Sequence, residues 1–194
     1  MGRLFCLIGK SGTGKDTLLR AILGDAGLPL TPVVTYTTRP QRETEIDGAE
    51  YNFVTEQFMR TLECDGKIIE KREYHTVHGI WYYFTAVFDI SPGVDYITIT
   101  TPQALKLLAE KFDKDAITIV CLEADDKLRL ERSIARESRQ REPNYCEVCR
   151  RYLADETDFS GLSLPCAHTI DANQNSDSCL RQFREVFVSL SARN

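Results

Sequence analysis

The sequence predicts an α/β fold: a three-layer core in which helices cover both faces of a parallel β-sheet. Near the N-terminus, a glycine-rich loop at residues 9–16 lies between an apolar run and a helical pattern. In the second half of the chain, apolar runs alternate with amphipathic segments long enough for helices. Parallel strands need crossover connections, so this alternation is typical of the α/β class.

The first elements of the core follow from local patterns. Residues 4–8 form an uninterrupted apolar run, which predicts a buried strand. A helix is predicted over residues 15–23, where leucines recur on one face and Gly24 ends the pattern. A short β-branched run at residues 32–36 predicts the next strand.

Residues 35–90 are predicted to form a mixed, β-rich insertion between the first helix and the next core strand. Asp47-Gly48 is a tight-turn signal, and residues 51–54 alternate like a strand. The other expected elements are a short helix over 55–62 and strands over 67–70 and 81–84. This segment interrupts the alternation of strands and helices that defines the core.

The core resumes after the insertion. The predicted order is a strand at 96–100, a helix at 101–112, a strand at 116–122, helices at 125–136 and 144–157, a strand at 168–172 and a helix at 176–190. Side chains expected to be at least partly buried in the two central helices are Leu128, Leu130, Ile134, Val148, Tyr152 and Leu153. The chain is thus predicted to be one domain, 1–194, with residues 1–34 and 91–194 as the core and residues 132–150 as an Arg-rich lid.

The composition is that of a globular protein, with 42% hydrophobic and 27% charged residues. A net charge of −5 argues against broad binding to nucleic acid or anionic membranes. No apolar run reaches the length of a membrane span and no signal-peptide pattern is present, so a cytoplasmic location is expected. The seven cysteines are expected to be free thiols, and no obligatory protein partner is indicated.

Four residues late in the chain have side chains that can bind zinc: Cys146, Cys149, Cys166 and His168. The first two form a C-x-x-C pair, but this pair lies inside a predicted helix, and the second two lack the usual ligand spacing. A structural zinc is therefore the minor hypothesis.

The glycine-rich loop has the spacing of a phosphate-binding P-loop, in the strand-to-helix context that this motif requires. Its residues are Gly9, Lys10, Ser11, Gly12, Thr13, Gly14, Lys15 and Asp16, followed by Thr17. Glycines allow consecutive backbone N–H groups to face phosphate oxygens, and the helix N-terminus adds partial positive charge. We expect these residues to bind ATP, with Lys15 acting on the transferred phosphoryl group. The alternative is a flexible loop with incidental glycines.

One position departs from the P-loop pattern. A Ser or Thr hydroxyl normally meets Mg²⁺ after the lysine, and here the residue is Asp16. A carboxylate is a good Mg²⁺ ligand, although it places negative charge near the phosphates. Thr17 cannot simply take its place, because one residue along a helix turns by about 100°. Mg²⁺ is thus expected with ATP, and Asp16 is its candidate ligand.

Two arginines in the insertion are candidates for binding the phosphate of an acceptor. Arg39 and Arg42 can grip it with their planar donor forks. Tyr51 and Tyr82 can each add a hydroxyl donor. In isolation, such arginines in a polar, turn-rich segment are more often solvated.

A second arginine group follows in the predicted helix at 125–136. Arg132 and Arg136 are four residues apart and therefore share a helix face. Their alternative role is a solvated surface paired with Glu131 and Glu137. An arginine-rich flap that closes over the site is a common way to balance charge on a transferred phosphoryl group.

Together these residues resemble the guanylate kinase family. The resemblance rests on the P-loop, on T-x-T-T-R-x-x-R-x-x-E-x-x-G-x-x-Y-x-F-V at residues 35–54, on G-K-I-I-E at 66–70 and on G-I-W-Y at 79–82. With the order of core strands and the lid, it covers nearly the whole chain. It implies transfer of the γ-phosphoryl group of ATP to GMP with Mg²⁺, in a P-loop core that has a GMP-binding insertion and a mobile lid.

The resemblance also implies roles for individual residues. Those in the motif that would bind the GMP phosphate are Arg39, Arg42, Tyr51 and Tyr82, and Glu45 is a further residue of the GMP-binding site. Thr35 and Glu70 would contact the guanine base, with Glu70 accepting hydrogen bonds from its ring N–H and amino groups. The catalytic arginines of the lid and the following helix would be Arg132, Arg136 and, in preference to Arg150, Arg151.

Several departures from the family pattern leave other acceptors open. Extra residues before Gly79 make Glu73 a competitor of Glu70 for base recognition. Tyr83-Phe84 replace small residues, and no Asp-x-Asp pair follows the strand at 96–100. One alternative resembles the ribose-bisphosphate phosphokinases, whose P-loops can also have Asp after the lysine. Another is a catalytically silent guanylate-kinase-like module that binds proteins.

Overall fold

The computed structural model describes residues 2–41, 45–49, 51–76, 79–160 and 168–192. Its strands and helices are, in chain order, β1 (Leu4–Ile8), α1 (Lys15–Leu23), β2 (Leu30–Pro32), β3 (Tyr36–Thr37), β4 (Asn52–Phe53), α2 (Glu56–Cys64), β5 (Ile68–Thr76), β6 (Gly79–Ala86), β7 (Asp95–Ile99), α3 (Pro102–Lys111), β8 (Ile117–Glu123), α4 (Asp126–Glu137), α5 (Tyr145–Asp158), β9 (His168–Asp171) and α6 (Ser176–Ser191). Within these described ranges, no helix has the length and apolar character needed to cross a membrane.

The first sheet forms the core, and its five strands are all parallel, in the order β2-β7-β1-β8-β9. β1 lies in the centre between β7 and β8, and every one of its residues is buried. A central parallel strand is covered on both faces, which explains why residues 4–8 are uniformly apolar.

Helices cover both faces of this sheet. On one face, Phe5 belongs to a buried cluster with Ile22 of α1 and Phe183 of α6. On the other face, Ile8 belongs to a second cluster with Leu105 of α3. The predicted three-layer α/β core with a parallel sheet is confirmed.

The second sheet has the order β4-β3-β6-β5 and mixed pairing. β3 is parallel to β4, whereas β6 is antiparallel to both β3 and β5. α2 covers one face of this sheet, where Met59 packs with Tyr82 and Phe84. Because side chains alternate along a strand, Tyr83 and Thr85 lie on the opposite face.

Two strand predictions differ from the structure. The run at 32–36 is not one strand, because β2 ends at Pro32 in the core sheet and β3 begins at Tyr36 in the second sheet. The Val33 N–H still donates to the Ile97 carbonyl at 2.8 Å, and the chain then crosses between the sheets. β5 continues to Thr76, beyond its predicted end, because it pairs with β6 along its length.

Two side chains predicted to be partly buried are exposed: Ile134 at 44% and Leu153 at 66%. The inner face of α4 presents Arg129 and Ser133 instead, which are 2% and 8% exposed. The prediction was wrong because it assumed an apolar neighbour, whereas Arg129 packs on the polar loop after β1 and donates to the Ser11 carbonyl.

Candidate active site

The loop after β1 adopts a tight turn that favours glycine at two positions. Gly12 and Gly14 have φ of +82° and +93°, a backbone region that other residues rarely adopt. At Gly12, a Cβ atom would lie 2.4 Å from the carbonyl oxygen of Arg129. The backbone of α4 therefore packs directly on the loop.

Lys15 lies along this loop. Its Nζ donates to the carbonyl oxygens of Gly9 at 2.7 Å and Lys10 at 3.0 Å, so the side chain folds back over the turn. Burial lowers the pKa of the Lys15 amine, and the charges of Asp16 and Asp155 oppose this shift. The amine is thus positioned where a phosphate on the loop would gain its charge.

The other loop residues are held by the loop itself and by α5. Thr13 is buried, and its hydroxyl donates to the Lys10 carbonyl at 2.9 Å. The Ser11 N–H donates to the Asp155 carboxylate at 2.6 Å. Lys10 forms an ion pair with Glu156 at 2.7 Å. Two acidic residues of α5 therefore contact the loop that is predicted to bind phosphate.

Arg129 is not among the predicted site residues, yet it is the buried centre of the contact between α4, α5 and the loop. Its Nε donates to the Ser11 carbonyl at 3.2 Å, and its Nη1 pairs with Asp126 at 2.8 Å and Glu156 at 3.3 Å. Its guanidinium lies 4.9 Å from the ring centroid of Tyr152. The signal for it in the sequence is spacing, since position 129 shares a helix face with positions 132 and 136.

The two predicted lid arginines of α4 both approach the loop. Arg132 donates to the Ala172 carbonyl at 2.9 Å and to the Gly12 carbonyl at 3.5 Å. Arg136 acts on Lys15 through its charge, adding to the lowering of the lysine pKa that burial causes. Arg132 therefore contacts the loop backbone, and Arg136 lies in the electrostatic field of Lys15.

On α5, one carboxylate pairs with both candidate arginines. Arg150 and Arg151 each donate to Glu147 at 2.7 Å. The Arg150 hydrogen bond, followed by that of Arg151, lowers the pKa of the Glu147 carboxyl to about 2. Arg150 also places its guanidinium 5.8 Å from the ring centroid of Tyr74 in β5. Arg150, rather than the Arg151 that the resemblance favours, is thus the arginine seen in contact with the second sheet.

In the second sheet, Arg39 is at the centre of the residues that are predicted to bind the acceptor. Its side chain is 4% exposed, and its guanidinium makes a two-fold ion pair with Glu45 at 2.9 and 2.7 Å. Its Nε donates to the Tyr83 hydroxyl at 3.1 Å, and its guanidinium carbon lies 5.6 Å from the ring centroid of Tyr51. The structure brings Arg39, Glu45 and Tyr51 together, whereas Arg42 lies outside the described residues.

Tyr82 does not join this group. It is 7% exposed and belongs to the apolar cluster with Phe84 under α2. Tyr83 stands beside Arg39 instead, and its ring centroid is 5.5 Å from that of Tyr51. Neighbouring residues of a strand face opposite sides of a sheet, so Tyr82 and Tyr83 cannot both face Arg39. In the structure, the tyrosine that contacts Arg39 is therefore Tyr83, and not the predicted Tyr82.

Of the two carboxylates considered for base recognition, Glu70 is buried and Glu73 is exposed. Glu70 accepts hydrogen bonds from the Thr85 hydroxyl at 2.9 Å and from Arg72 Nε at 3.1 Å. Glu73 faces His75, 3.5 Å away. Glu70 is thus the carboxylate on the face of the hairpin that also presents Tyr83 and Thr85.

Thr35 lies on the link between the two sheets. Its carbonyl oxygen accepts from the Asn52 N–H at 2.9 Å, and the Asn52 amide donates to the Val34 carbonyl at 3.1 Å. These bonds fix the link against β4.

Tyr51 lies beside Arg39, and its pKa responds to several neighbouring groups. Burial raises the pKa of Tyr51 to about 12, the charges of Tyr83 and Asp16 act in the same direction, and Arg72 and Arg39 oppose them. The charge of Asp16 thus contributes to the environment of Tyr51, one of the residues predicted to bind the acceptor.

Comparison with known proteins agrees with this geometry. The family model described as guanylate kinase matches residues 1–87. A guanylate kinase of Paraburkholderia xenovorans is 30% identical over 197 aligned positions, which cover 99% of this chain and 82% of that protein. The chain belongs to the guanylate kinase family.

Further members of the guanylate kinase family show the same extent of similarity. A guanylate kinase of Cupriavidus pinatubonensis is 31% identical over 189 aligned positions, 95% of this chain and 82% of that protein. The crystal structure of guanylate kinase from Anaplasma phagocytophilum matches with a TM-score of 0.65 and 14% identity, over 97% of this chain and 85% of that chain, which shows the shared fold. The predicted family is confirmed, and with it the prediction of an enzyme of the nucleoside monophosphate kinase class.

The guanylate kinase fold implies Mg²⁺ with ATP, and Asp16 suits this ion. Asp16 is exposed in the first turn of α1, and its charge acts on Lys15. Mg²⁺ usually keeps several waters and is bound through one or two carboxylates and the substrate phosphates. One exposed carboxylate beside the loop therefore fits the ligand set that Mg²⁺ takes with a nucleotide. Thr17, one residue further along, is also exposed.

The cysteine and histidine side chains do not form a second metal site in the part of the chain that the structure describes. There, no group of three His, Cys, Asp or Glu residues is arranged to hold a metal ion. Cys146 and Cys149 are exposed free thiols on α5, and His168 begins β9. Cys166, the remaining ligand of the zinc hypothesis, lies outside the described residues.

Proposed function

We propose that this chain transfers the γ-phosphoryl group of ATP to GMP, with ADP and GDP as products. The observation that supports this most is the arrangement of Arg39, which Glu45 and the Tyr83 hydroxyl orient beside Tyr51, in a chain whose Lys15 folds back over the P-loop. The chain thus has one group of residues suited to donor phosphates and another suited to an acceptor phosphate. Such an arrangement favours direct transfer between two bound nucleotides.

On the donor side, ATP binds with its phosphates on residues 9–16. Backbone N–H groups bind the phosphate oxygens, and Lys15 adds a positive charge that stabilises the transferred group. Mg²⁺, when bound with ATP, supplies further positive charge to the phosphate oxygens, and we assign Asp16 to hold it.

On the acceptor side, the phosphate of GMP binds to Arg39, with Tyr51, Tyr83 and Arg42 as further donors. Arg39 is already oriented by Glu45 and Tyr83 in the structure, so little side-chain freedom is lost when the acceptor binds. Thr35 and Glu70 belong to the base end of the same site. Residues 35–90 are thus the acceptor-binding insertion in this proposal.

During transfer, negative charge on the phosphoryl oxygens has to be balanced. Arg132 contacts the loop, and Arg136 lies in the field of Lys15. Closure of a lid formed by residues 132–150 brings arginines onto the phosphoryl group and excludes water, which prevents hydrolysis of ATP. The residues that we propose to be catalytic are Lys15, Arg132, Arg136 and Arg151.

The proposed substrates also suggest where the protein works. ATP and nucleoside monophosphates are cytoplasmic metabolites, so we place the reaction in the cytoplasm, with ATP and GMP as the partners. The net charge of −5 supports leaving nucleic acid out of this proposal.

One observation favours a second class of acceptor. Glu70, which would accept hydrogen bonds from guanine, is paired with Arg72 at 3.1 Å. A small phosphorylated acceptor without a base, such as ribose 1,5-bisphosphate, has a phosphate at each end. It would suit a site that has Arg39 at one end and Arg72 at the other. A catalytically silent protein-binding module has less support, because Lys15, Arg132 and Arg136 are all present.

The test is a coupled assay of ADP release with ATP, Mg²⁺ and one acceptor at a time: GMP, dGMP, AMP, UMP, CMP or ribose 1,5-bisphosphate. We expect turnover with GMP and dGMP, and phosphorus NMR should show that the new phosphate is on the acceptor. Turnover with ribose 1,5-bisphosphate but not with GMP would overturn the leading proposal. A rate of ADP release that is the same with and without an acceptor would count against both kinase proposals.

A further inference from the structure

The β5–β6 hairpin places a buried ion pair at the base end of the acceptor site. Arg72 donates through Nε to Glu70 Oε2 at 3.1 Å and through Nη2 to Oε1 at 3.4 Å. The Thr85 hydroxyl donates to the same Oε1 at 2.9 Å. The Glu70 side chain is 3% exposed and that of Arg72 is 23% exposed. The carboxylate is thus enclosed, and the guanidinium is the accessible member of the pair.

Glu70 has little capacity left for a guanine base. An ionised carboxylate has about four acceptor positions, and the bonds from Arg72 and Thr85 use most of them. Recognition of guanine by a carboxylate needs two positions, one for the ring N–H and one for the 2-amino group. Glu70 would have to release a bond of a buried pair to provide both, which is costly because a buried charge would lose its partner.

Arg72, in contrast, has donors to offer. A guanidinium has about five N–H donors, and Glu70 accepts from only two of its nitrogen atoms. Burial lowers the pKa of Arg72, but Glu70, Tyr74 and Tyr51 raise it by more, so the pKa rises overall. In the hairpin register Arg72 lies opposite Tyr83, the residue whose hydroxyl accepts from Arg39. The guanidinium therefore lies among the aromatic residues of the acceptor site.

The following inference rests on the proposed function. We propose that Arg72 is a specificity-determining residue that donates to the oxygen on C6 and to N7 of a purine acceptor. Glu70 acts as its positioning residue by fixing the guanidinium. Arginine binds these two acceptors of guanine in other complexes. Hypoxanthine has the same two acceptors, whereas adenine has an amino donor on C6. The acceptors are therefore 6-oxopurine nucleoside monophosphates, IMP as well as GMP.

The first experiment compares kcat/KM for GMP, IMP and AMP. Recognition by Arg72 predicts values for GMP and IMP within about threefold of each other, with AMP lower by about 100-fold, because donor would face donor. Recognition by Glu70 predicts that IMP, which lacks the 2-amino group, is poorer than GMP by more than about tenfold. That second pattern would overturn the role of Arg72.

The second experiment uses variants. Arg72→Ala should raise KM for GMP and IMP by about 10- to 100-fold, leave KM for ATP unchanged and weaken the preference over AMP. Lys71→Ala is the matched control, because Lys71 is on the opposite face of the strand and pairs with Glu63 of α2. Its KM values should match those of the parent chain.

A conservative variant keeps the test valid if Arg72→Ala fails to fold with Glu70 unpaired. Arg72→Lys keeps the charge but cannot make a two-fold contact, so its KM for GMP and IMP should be intermediate. Unchanged KM values for both purines in a folded Arg72 variant would overturn the inference.

The failure of this inference differs from the failure of the kinase proposal. If GMP is phosphorylated with a strong preference over IMP, the kinase proposal stands and only the role of Arg72 is wrong. If no purine monophosphate is phosphorylated while ribose 1,5-bisphosphate is, the GMP proposal fails, and the inference fails with it.

Discussion

The backbone N–H of Ser11 donates a hydrogen bond to Asp155 Oδ2 at 2.6 Å, so a carboxylate of α5 lies on the P-loop. The Lys10–Glu156 ion pair, at 2.7 Å, lies beside it. Backbone N–H groups of such loops bind phosphate oxygens. In the proposed function, Asp155 would therefore compete with the nucleotide for one of these donors, and its charge would oppose that of the phosphates.

Replacement of this carboxylate should strengthen ATP binding. Asp155→Asn removes the negative charge, so ATP no longer has to displace a charge-assisted hydrogen bond, a difference of about 1.5–3 kcal/mol at most. We expect the Kd for ATP, measured by calorimetry without acceptor, to fall by about tenfold. Asp158→Asn, an exposed position on the same helix, is the control. Weaker ATP binding in the Asp155 variant would show that the contact supports the loop instead.

Lys15 is expected to be essential for the chemical step. Lys15→Ala removes a charge that acts on the moving phosphoryl group, so kcat should fall by about 10²-fold or more. Lys127→Ala is the matched control, because Lys127 is an exposed lysine of α4 whose side chain is 86% exposed. A loss of less than about tenfold for Lys15→Ala would contradict the P-loop mechanism.

The two neighbouring tyrosines of β6 give a direct test of which one binds the acceptor. Tyr83→Phe removes the hydroxyl that accepts from Arg39, and KM for GMP should rise by about fivefold to tenfold. Tyr82→Phe should leave this KM unchanged, because Tyr82 packs under α2. The reverse result would restore the position first expected from the sequence.

This pair also shows why the site is only partly predictable from sequence. Local patterns were sufficient for the P-loop, the three-layer core and most elements, because glycine spacing and apolar periodicity are short-range signals. Which of Tyr82 and Tyr83 faces Arg39 depends on the register of the β5–β6 hairpin. A one-residue shift exchanges the two faces of a strand, and no local signal marks it.

The contacts of α4 and α5 with the loop were unpredictable for a different reason. Asp155 and Arg129 are charged residues in helices, and such residues are usually solvated. Their contacts with Ser11 depend on how the two helices pack against a loop more than 100 positions away in the chain, at separations of 144 and 118 residues. Helical periodicity fixes which residues share a face, and not which partner covers that face.

Removal of Asp16 should alter the metal dependence of the reaction. Asp16→Ala deletes the candidate Mg²⁺ ligand in the first turn of α1, so a higher Mg²⁺ concentration should be needed for half-maximal activity. Asp89→Ala, at an exposed position before β7, is the control. An Mg²⁺ activation curve identical to that of the parent chain would mean that Asp16 is not a ligand.

The Glu147 pairs should make the stability of α5 dependent on pH. Hydrogen bonds from Arg150 and then Arg151 lower the pKa of Glu147 from 4.5 to about 2 in the folded chain. A depressed folded pKa stabilises the fold above the unfolded pKa, and this contribution is lost as the pH falls from about 4.5 towards 2.

Urea unfolding of the parent chain and of Glu147→Gln at pH 6 and pH 3 would measure this contribution. The variant should be less stable at pH 6, and the difference should shrink at pH 3 and in high salt, because the pair is partly exposed. A difference that stays constant with pH would mean that the carboxylate charge is not what stabilises the helix.

The contact between Gly12 and the Arg129 carbonyl has a consequence for motion. A Cβ atom at Gly12 would lie 2.4 Å from that oxygen, so the start of α4 and the P-loop are packed backbone against backbone. Moving the start of α4 relative to the loop would disrupt this packing, so we expect the two segments to move together. Any hinge that swings Arg136 towards the acceptor therefore lies after Arg129, within the last two turns of α4 or in the connection to α5.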